Sequence, residues 1–412
     1  MRKIRKLKVN EIKQSLKIAA KSYPMIGLTT DAKIEEFEKE ILKDYPKPER
    51  EWYGLFEEDQ LLGNMVLYDF DLNYYGKIIK TKGIGFVATD FLHKKQKIAR
   101  DLLNYYLKIC NKEDKKLAML YAFRPDFYKK MGFGYGTKGY NYQTKADRFP
   151  ILETNTSCNY LDQSNKNEVS EFFNELYLSN HGMIAKREKD IEAFLKPENQ
   201  TVIGFRDNDN LVSILTFNFK VDKEHNDETD MHCRLYYKNH TGLKAISSFI
   251  NSQSDQIRDI FIYSQDDSLF YLLKDIRHVD RDILQPPAYH HLYNAGMGIM
   301  FRAMDNQYLV LNKPSTLNDF CIKFIIEDDF VENTKDALII EYKNGIPKIC
   351  RSRKCDLEIE FKQAEFSSWV MNCISLEKLH QLGLINVNNE NLLKVADQGF
   401  YYSQHPICYA RF

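Results

Sequence analysis

The stretch Phe86–Leu103 combines a strand end, a lysine-rich loop and a helix start, which is an arrangement suited to binding an anion. The strand pattern covers Gly83–Thr89, and the loop that follows it contains Lys94, Lys95 and Lys97. The first N–H groups of a helix lack intrahelical partners, so they attract anions, and nearby ammonium groups strengthen that attraction. The pattern predicts a phosphate-binding site with a pyrophosphate as its natural ligand. A basic loop that is only solvated is the alternative.

A second stretch, Leu120–Thr137, places a tyrosine just beyond the end of a buried strand. Pro125 is typical of a helix start, and the short helix that it opens carries Tyr128. Gly132 and Gly134 follow at positions where close backbone approach or a positive φ is expected. From these residues alone, Tyr128 can be a packing residue or a catalytic one.

The histidines and cysteines do not form a metal-binding pattern. The chain has 8 cysteines, and none of them lies in a CxxC pair or at a zinc-ligand spacing from a histidine. His93 is interpreted as an exposed loop residue that could contact phosphate. His290 and His291 fall in a predicted interdomain linker without a suitably spaced carboxylate or thiol. We therefore predict no metal, and we interpret the cysteines as reduced thiols.

Strand and helix signals alternate along the first 150 residues. The elements that they predict must position the lysine-rich loop and Tyr128. Hydrophobic periodicity, helix caps and turn residues define the elements. The predicted elements are a strand at Ile4–Leu7, a helix from Glu11 to about Lys21 capped by Asn10, a helix from Asp31 that stops at Pro46, a hairpin over 51–72, the strand Gly83–Thr89, a helix over 96–110, the strand Lys116–Phe123, a short helix over 127–131 and closing strands over 135–144.

A similar order of elements returns after Pro150, and a third pattern begins after Pro286–Pro287, where neither helix nor strand can continue. The second region is predicted to contain helices over 165–180, 241–253 and 267–276, a hairpin over 201–220, and strands over 232–238 and 257–264. The third is predicted to contain strands over 297–304, 319–328, 336–345 and 355–361, and helices over 367–374 and 375–385. The similar order suggests a degenerate duplication.

These patterns predict an α+β protein with two mixed-sheet domains followed by a smaller α+β domain. The predicted ranges are 1–149, 150–288 and 289–412. A hydrophobic content of 43% with 28% charged residues is typical of a folded globular protein, which excludes wholesale disorder.

The charge of the chain is balanced overall but divided along its length. The 58 basic residues equal the 58 acidic ones, yet residues 1–150 hold 30 basic and 20 acidic residues, a balance of +10. The remainder therefore has a balance of −10. A basic N-terminal third favours an anionic ligand there, and an acidic remainder favours a cationic partner.

Together these residues resemble a known family. The loop Lys94-Lys95-Gln96-Lys97-Ile98-Ala99 is similar to the acetyl-CoA pattern Q/R-x-x-G-x-G/A of GNAT N-acetyltransferases. Phe127–Gly134 resembles the segment after the fifth strand in the Eis (enhanced intracellular survival) group. That group has two GNAT-like domains and a third, sterol-carrier-protein-like domain. The length, the boundaries and the aromatic C-terminus at Phe412 are also similar, although the motifs are confined to 83–137.

The resemblance implies direct transfer of an acetyl group from acetyl-CoA to a primary amine. It makes Tyr128 the general acid for the departing thiolate, and it makes the α-carboxylate of Phe412 the group that helps to deprotonate the amine. Cofactor contacts are implied for backbone around the strand end, for the loop and for one aromatic side chain. These predicted residues are Val87, Ala88, Thr89, Lys94, Lys95, Gln96, Lys97, Ile98, Ala99 and Phe123.

Two departures from the family pattern bear on this expectation. Lys97 stands where the loop pattern has its first glycine, so its side chain either crowds the pyrophosphate or pairs with it. Arg411 stands where aminoglycoside-modifying relatives have an acidic residue, which weakens an aminoglycoside assignment. The residues Asp31, Glu35, Glu36 and Glu38 could line a pocket for a cation, but we favour the interpretation that they form a solvated helix face.

Other functions and partners stay open at this stage. One alternative is a non-catalytic GNAT-fold binding protein whose third domain holds a hydrophobic ligand. A tandem-GNAT transferase that uses charged tRNA is a second alternative, although overall neutrality disfavours nucleic acid. The acceptor could be a polyamine, an aminoglycoside, a peptide lysine or another small amine. The resemblance implies a homohexamer. The absence of a signal-peptide core and of an apolar run near eighteen residues predicts a cytoplasmic protein without a membrane span.

Overall fold

The computed structural model describes residues 2–198, 200–222, 228–277, 283–285, 289–331, 334–351, 354–410 and 412. The chain divides into two compact units. The first combines Met1–Gly136 with Ile299–Phe412, and the second is Thr137–Gly298. The predicted boundary at Pro286–Pro287 lies outside the described residues, as does Arg411, and the three predicted domain ranges stay a prediction.

The strands and helices are numbered in chain order. The strands are β1 (Arg2–Lys6), β2 (Arg50–Glu57), β3 (Gln60–Tyr74), β4 (Lys77–Thr89), β5 (Leu117–Tyr121), β6 (Gly134–Tyr135), β7 (Lys138–Thr144), β8 (Ser157–Tyr160), β9 (Thr201–Asp207), β10 (Asn210–Asp222), β11 (Glu228–Tyr237), β12 (Ile260–Ser264), β13 (Ile283–Gln285), β14 (Tyr289–His290), β15 (Asn294–Met297), β16 (Ile299–Ala303), β17 (Phe320–Asp328), β18 (Thr334–Lys343), β19 (Ile346–Ile349), β20 (Leu357–Lys362) and β21 (Ile385–Val387). The α-helices are α1 (Ile12–Ser22), α2 (Asp31–Leu42), α3 (Ile98–Lys112), α4 (Pro125–Lys129), α5 (Lys166–Ser179), α6 (Glu188–Phe194), α7 (His240–Asn251), α8 (Asn306–Asn312), α9 (Gln363–Val370), α10 (Leu376–Gln381) and α11 (Glu390–Gly399).

The first unit is built on a mixed sheet with the order β1-β2-β3-β4-β5-β16-β6. Strands β4 and β5 are parallel, and α3 connects them. The apolar stripe of α3 packs on the sheet, because Leu102, Leu103, Tyr106 and Leu107 recur at helical spacing and are fully buried. This helix therefore starts directly after the end of β4, where the sequence predicts the anion site.

The second unit repeats this plan within itself. Its sheet has the order β15-β7-β12-β11-β10-β9-β8, and β11 and β12 form a parallel pair connected by α7. Read from β8, its strand order corresponds to that of the first sheet, which supports the suspected duplication. Strands β13 and β14 form a separate antiparallel pair.

The C-terminal part of the first unit has its own sheet with the order β19-β18-β17-β20-β21. Aromatic rings fill the space between this sheet and its helices. Trp369 stacks on Phe324 at 5.3 Å between ring centroids and contacts Phe400 edge-on at 5.2 Å. The predicted fold class, two mixed-sheet domains and a smaller α+β region, is confirmed.

Two strands belong to a different sheet from the one that the sequence predicts for them. Strand β7, predicted to close the first sheet, pairs with β12 and β15 in the second. Strand β16, predicted to belong to the third domain, lies between β5 and β6 of the first sheet. The helix predicted over 267–276 is wrong as well, since only Leu269–Leu272 forms a single 3-10 turn there.

Candidate functional site

The sheet of the first unit opens where β4 and β5 diverge. The two strands pair from Thr81 and Leu117 as far as Ile84 and Leu120, and β4 then continues alone on this side to Thr89. A register shift against β3 accompanies the divergence, and Phe86 takes a positive φ of 50° there. The predicted residues Val87, Ala88 and Thr89 therefore lie on the strand segment that borders the opening.

The predicted phosphate loop is a tight connection between β4 and α3. Asp90 accepts a hydrogen bond from the Leu92 backbone N–H at 3.0 Å, and its carboxylate lies 2.9 Å from His93 Nδ1. His93 is thus engaged with Asp90. Lys94 lies with its ammonium 3.6 Å from the centre of the Phe91 ring. These contacts hold the first part of the loop, residues 90–94, which precedes Lys95 and Lys97.

Lys97 adopts the backbone conformation for which the family pattern uses glycine. Its φ and ψ are 65° and 10°, and it is the N-cap of α3. No side chain caps this end of the helix, so its first N–H groups are available to a phosphate. Lys95 also has a positive φ, 66°. The substitution at Lys97 therefore preserves the turn of the loop, at a cost in backbone strain.

The remaining loop residues differ in what they can present to a ligand. The side chains of Lys94, Lys95, Gln96 and Lys97 are exposed, whereas Ile98 is buried in the core under α3 and Ala99 is half-buried. Ile98 can thus contribute only backbone to a bound phosphate.

Arg2, which the sequence did not single out, anchors this loop from β1. Its guanidinium donates to the Gln96 carbonyl at 2.7 Å and to the Gln96 side-chain oxygen at 3.2 Å. It also forms an ion pair with Asp101 in the first turn of α3 at 3.3 Å. No local signal could have indicated this role, because Arg2 and Gln96 are 94 positions apart in the sequence.

A cleft of about 200 Å³ lies at the same opening of the sheet. Four of the predicted residues line it, namely Val87, Phe123, Tyr128 and Phe412. Ala88 and Thr89 do not line the cleft but lie between it and the loop. The structure thus brings together the two predicted catalytic residues, and β4 connects them to the predicted phosphate loop.

Tyr128 is buried beside this cleft. It lies on α4, whose first residue is Pro125 and whose end is followed by Gly132 with a φ of 80°. Burial, and secondarily the neighbouring hydroxyl of Tyr23, raises the pKa of Tyr128 well above its ordinary value near 10. The phenol therefore holds its proton throughout the physiological range, and the same shift makes it a weaker acid than an exposed tyrosine.

The residues around α4 are held by the C-terminal part of the same unit. Arg302 of β16 donates to the Met131 carbonyl at 2.7 Å and forms an ion pair with Asp328. A Cβ at Gly132 would lie 1.6 Å from an Arg302 nitrogen, and one at Gly134 would lie 2.2 Å from the Ala364 carbonyl oxygen. The predicted need for glycine at both positions is confirmed.

Phe412 enters the cleft over the surface of β4. Its ring packs against Phe70 at 4.9 Å and Tyr121 at 5.4 Å between centroids. Its carboxyl carbon lies 3.5 Å from the position that a Cβ on Gly85 would occupy. The Tyr121 hydroxyl donates to the Ala410 carbonyl at 2.7 Å. This hydrogen bond holds the backbone just before Phe412.

Tyr23 also lines the cleft and was not predicted as a site residue. It follows α1 and precedes Pro24, and its hydroxyl donates to the Val87 carbonyl at 2.8 Å. Burial raises the pKa of Tyr23 to about 12. The Tyr–Pro step marks a helix end in the sequence, but nothing in the sequence indicates that this ring faces β4.

The acidic residues of α2 form a solvated helix face. Asp31 pairs with Lys17 at 3.1 Å and Glu35 with Lys13 at 2.7 Å, while Glu36 is exposed and Glu38 is half-exposed. None of the four lines the cleft, which agrees with the solvated helix face that the sequence favoured over a pocket for a cation. Among the residues described, no group of three or more His, Cys, Asp or Glu side chains could hold a metal ion.

Two family models match this chain. Residues 3–136 match an acetyltransferase (GNAT) domain, and residues 307–409 match a sterol carrier protein domain. The chain therefore carries a GNAT acetyltransferase domain followed by a C-terminal sterol-carrier-protein-like domain, as the resemblance implied. No curated protein matches the chain.

Solved structures share the fold of the whole chain. A probable N-acyltransferase from Enterococcus faecalis V583 has a TM-score of 0.79 at 15% identity, with 100% of both chains covered. A GCN5-related N-acetyltransferase from Anabaena variabilis has the same score and identity, with 99% of both chains covered. Eis1 from Mycobacterium abscessus has a TM-score of 0.77 at 15% identity, with 100% of both chains covered. At this identity the similarity establishes the N-acetyltransferase fold.

No helix in the described parts of the chain is both long enough and apolar enough to span a membrane.

Proposed function

We propose that this protein is an acetyl-CoA-dependent N-acetyltransferase that transfers the acetyl group directly to a primary amine. The observation that carries the proposal is the shared cleft, at the divergence of β4 and β5, that Tyr128 and Phe412 both line. A protonated phenol and a carboxylate in one cleft are the two groups that direct transfer from a thioester to an amine requires.

The first unit would bind acetyl-CoA along the end of β4 and the start of α3. The uncapped first turn of α3 and the ammonium groups of Lys94, Lys95 and Lys97 would hold the pyrophosphate. Backbone N–H groups around Val87 would stabilise the oxyanion that forms on the thioester carbonyl. Binding both reactants at one opening of the sheet supplies the proximity that the reaction needs.

The chemical step begins when the Phe412 carboxylate, acting through water or by attraction to the ammonium, helps the amine to lose a proton. The amine nitrogen then forms a bond to the thioester carbonyl carbon and releases a second proton to water. The carbon–sulfur bond breaks as the tetrahedral intermediate collapses to the amide. Tyr128 donates its proton to the departing thiolate and recovers a proton from solvent. A thiol with an ordinary pKa near 8.5 leaves more readily when it is protonated.

Three measurements test this proposal. Calorimetric titration should show binding of acetyl-CoA, and Tyr128→Phe should lower kcat at least tenfold without a comparable loss of acetyl-CoA affinity, since only the proton is removed. A glycine added after Phe412 should also lower kcat, because it displaces the carboxylate by one residue and retains the ring. The control is Tyr271→Phe, which changes an 81% exposed tyrosine away from the cleft. Unchanged turnover both in Tyr128→Phe and in the variant with the added glycine would contradict the roles proposed for Tyr128 and Phe412.

The match of residues 307–409 to a sterol carrier protein domain favours the alternative of a binding protein with a hydrophobic ligand in its C-terminal domain, but the aromatic packing in that domain speaks against it. The rings of Trp369, Phe324 and Phe400 already pack against one another there. The hexamer implied by the resemblance and the cytoplasmic location stay predictions.

A further inference from the structure

Two cysteines of the C-terminal sheet hold their sulfur atoms in contact. Cys321 is the second residue of β17, and Cys355 lies two residues before β20. Both are thiols in this structure. Their Sγ atoms are 3.4 Å apart, and a disulfide bond joins sulfur atoms at about 2.0 Å, so an approach of about 1.4 Å would allow the bond to form.

Backbone hydrogen bonds fix the relative position of the two cysteines. Strands β17 and β20 pair in parallel from Ile322 and Leu357 onward. Just before this pairing, the Asp356 N–H donates to the Cys321 carbonyl at 2.9 Å, and the Asp356 carboxylate accepts from the Cys321 N–H at 2.8 Å. Because Cys355 adjoins Asp356 in the chain, the pairing of the strands itself brings the two sulfur atoms together.

The two thiols differ in their access to solvent. Cys321 is fully buried, whereas Cys355 is half-buried. A dissolved oxidant therefore reaches Cys355 first, and Cys321 lies where it can displace a group that has become bound to the Cys355 sulfur. A reactive thiol that solvent reaches, with a second thiol beside it, is the arrangement from which a protein disulfide forms by exchange.

The segment before Cys355 favours a negatively charged reagent. Arg351 and Lys354 are both exposed, and Lys354 directly precedes Cys355. The acidic residue on the other side, Asp356, is engaged with the backbone N–H of Cys321. Exposed cations raise the local concentration of an anionic molecule, and a small disulfide that carries carboxylates meets this requirement.

We propose that Cys355 and Cys321 form a thiol modification site that takes an anionic low-molecular-weight disulfide and becomes a Cys321–Cys355 disulfide. This inference is independent of the proposed function, because it concerns the C-terminal sheet and not the cleft.

The reaction is two successive thiol–disulfide exchanges. The Cys355 thiol loses its proton to water, and its thiolate attacks one sulfur of the small disulfide, whose sulfur–sulfur bond breaks as one small thiolate leaves. Cys321 then loses its proton, and its thiolate attacks the Cys355 sulfur and releases the second small thiolate. The two released thiolates take up the two protons. Two electrons have then passed from the protein to the small disulfide, which is reduced to two thiols.

The new bond ties together two neighbouring strands of the C-terminal sheet. It joins cysteines 34 positions apart in the sequence, and the closed loop contains β18 and β19. Such a cross-link lowers the conformational entropy of the unfolded chain. We expect oxidation to raise the midpoint of thermal unfolding of the first unit by roughly 5 °C, and reduction to reverse the shift.

Oxidised glutathione, an anionic disulfide, tests the site in the full chain. The reduced protein is incubated with it, the remaining thiols are alkylated, and the digested protein is mapped by mass spectrometry. We expect the peptides that contain Cys321 and Cys355 to be joined in most of the protein, and dithiothreitol to separate them. Cys158, which is exposed, should carry glutathione and so show that the reagent was active.

Three variants separate the two exchanges. Cys321→Ala removes the second thiol, so glutathione should stay bound to Cys355, with at least tenfold more of this adduct than in the original chain. Cys355→Ser should leave the buried Cys321 unmodified and abolish the thermal shift. Cys350→Ser is the matched control, because Cys350 is also half-buried, and it should leave the disulfide unchanged. Acetyl-CoA titration establishes that each variant is folded, and the two serine variants keep the test decisive if Cys321→Ala is not.

The proposal fails if Cys321 and Cys355 stay unlinked in protein whose Cys158 carries glutathione. A disulfide between Cys350 and Cys355 in place of the expected one would also overturn it.

Discussion

At the scale of single residues, two lysines lie in environments that are unfavourable for this residue type, one because of its backbone conformation and one because of its burial. Lys97 has the left-handed backbone that glycine adopts without strain. Lys313 is buried to 3% exposure and donates to the Tyr75 hydroxyl at 2.7 Å. Each environment has a measurable consequence for stability.

The strain at Lys97 predicts a difference between two substitutions. Lys97→Gly and Lys97→Ala both remove the ammonium, but only glycine relieves the positive φ. We expect the glycine variant to be more stable than the alanine variant by about 1 kcal/mol, the ordinary cost of this conformation. Urea unfolding followed by fluorescence measures the difference. Equal stability of the two variants would contradict the strain, and acetyl-CoA titration of both would report the contribution of the charge.

The burial of Lys313 predicts a pH-dependent stability. Desolvation lowers the pKa of Lys313 to about 7, although the neighbouring Cys373 and Asp397 oppose this shift. Between pH 7 and the ordinary lysine pKa near 10.5, the unfolded chain therefore binds more protons than the folded one, so stability rises with pH. From pH 7 to pH 9 this contribution amounts to at most about 2.7 kcal/mol.

Lys313→Met removes this titration and keeps a side chain of similar length. Unfolding in urea at pH 7, 8 and 9 should show a smaller increase in stability with pH for the variant than for the original chain. Parallel pH profiles for the two proteins would contradict a lysine that loses its proton near neutrality.

At the scale of elements, β4 is the strand on which the site is assembled. It ends at the predicted phosphate loop, borders the cleft with Val87, and lacks side chains at Gly83 and Gly85, over which Phe412 lies. The absence of a Cβ at these two positions allows the ring and the carboxyl group to approach the strand.

Gly83→Ala should therefore displace the C-terminal residue. The new Cβ would lie 2.6 Å from the Phe412 ring and 2.9 Å from the Phe70 ring, so both rings must shift. We expect kcat to fall at least tenfold with little change in acetyl-CoA affinity, because the phosphate loop is not touched. Gly296→Ala is the control, since the nearest atom to its new Cβ is 4.0 Å away. An unchanged kcat in Gly83→Ala would argue against a role for the position of Phe412.

At the scale of the whole molecule, the GNAT sheet of the first unit is completed by a strand from far along the chain. In β16, Met300 and Phe301 are fully buried between β5 and β6, and Arg302 holds the turn after α4. The predicted first domain, residues 1–149, therefore lacks an interior strand of its own sheet.

We expect a fragment of residues 1–149 to unfold without a cooperative transition and not to bind acetyl-CoA. Without β16, an edge of β5 and the apolar face beneath it are open to solvent, and exposed edges of this kind promote association. Thermal unfolding followed by circular dichroism, with the full chain as reference, measures this. A cooperative transition in the fragment, together with acetyl-CoA binding, would contradict the structural role of β16.

Local elements of this protein could be predicted from its sequence. The start of α2 at Asp31, the hairpin of β2 and β3, and the succession of β4, α3 and β5 follow from capping, turn residues and hydrophobic spacing. The turn at Gly132 was also predicted, since glycine is the residue that takes a positive φ freely. These features depend on residues that are close to one another in the sequence.

The partners of strands and side chains that are distant in sequence could not be predicted. Strands β7 and β16 look like ordinary strands, and hydrophobic alternation indicates that a strand is buried but not which sheet receives it. Arg2 and Tyr23 gave no signal, because their roles depend on Gln96 and Val87.

The sequence by itself determined the class of this protein, because a strand, a basic loop and a helix in direct succession form a local pattern. The tertiary structure decided that Lys97 can replace glycine in that loop. It also decided that Tyr128 and Phe412, 284 positions apart, line one cleft. The physical reason is that backbone conformation and long-range packing are settled by the contacts of the whole unit, which no local pattern contains.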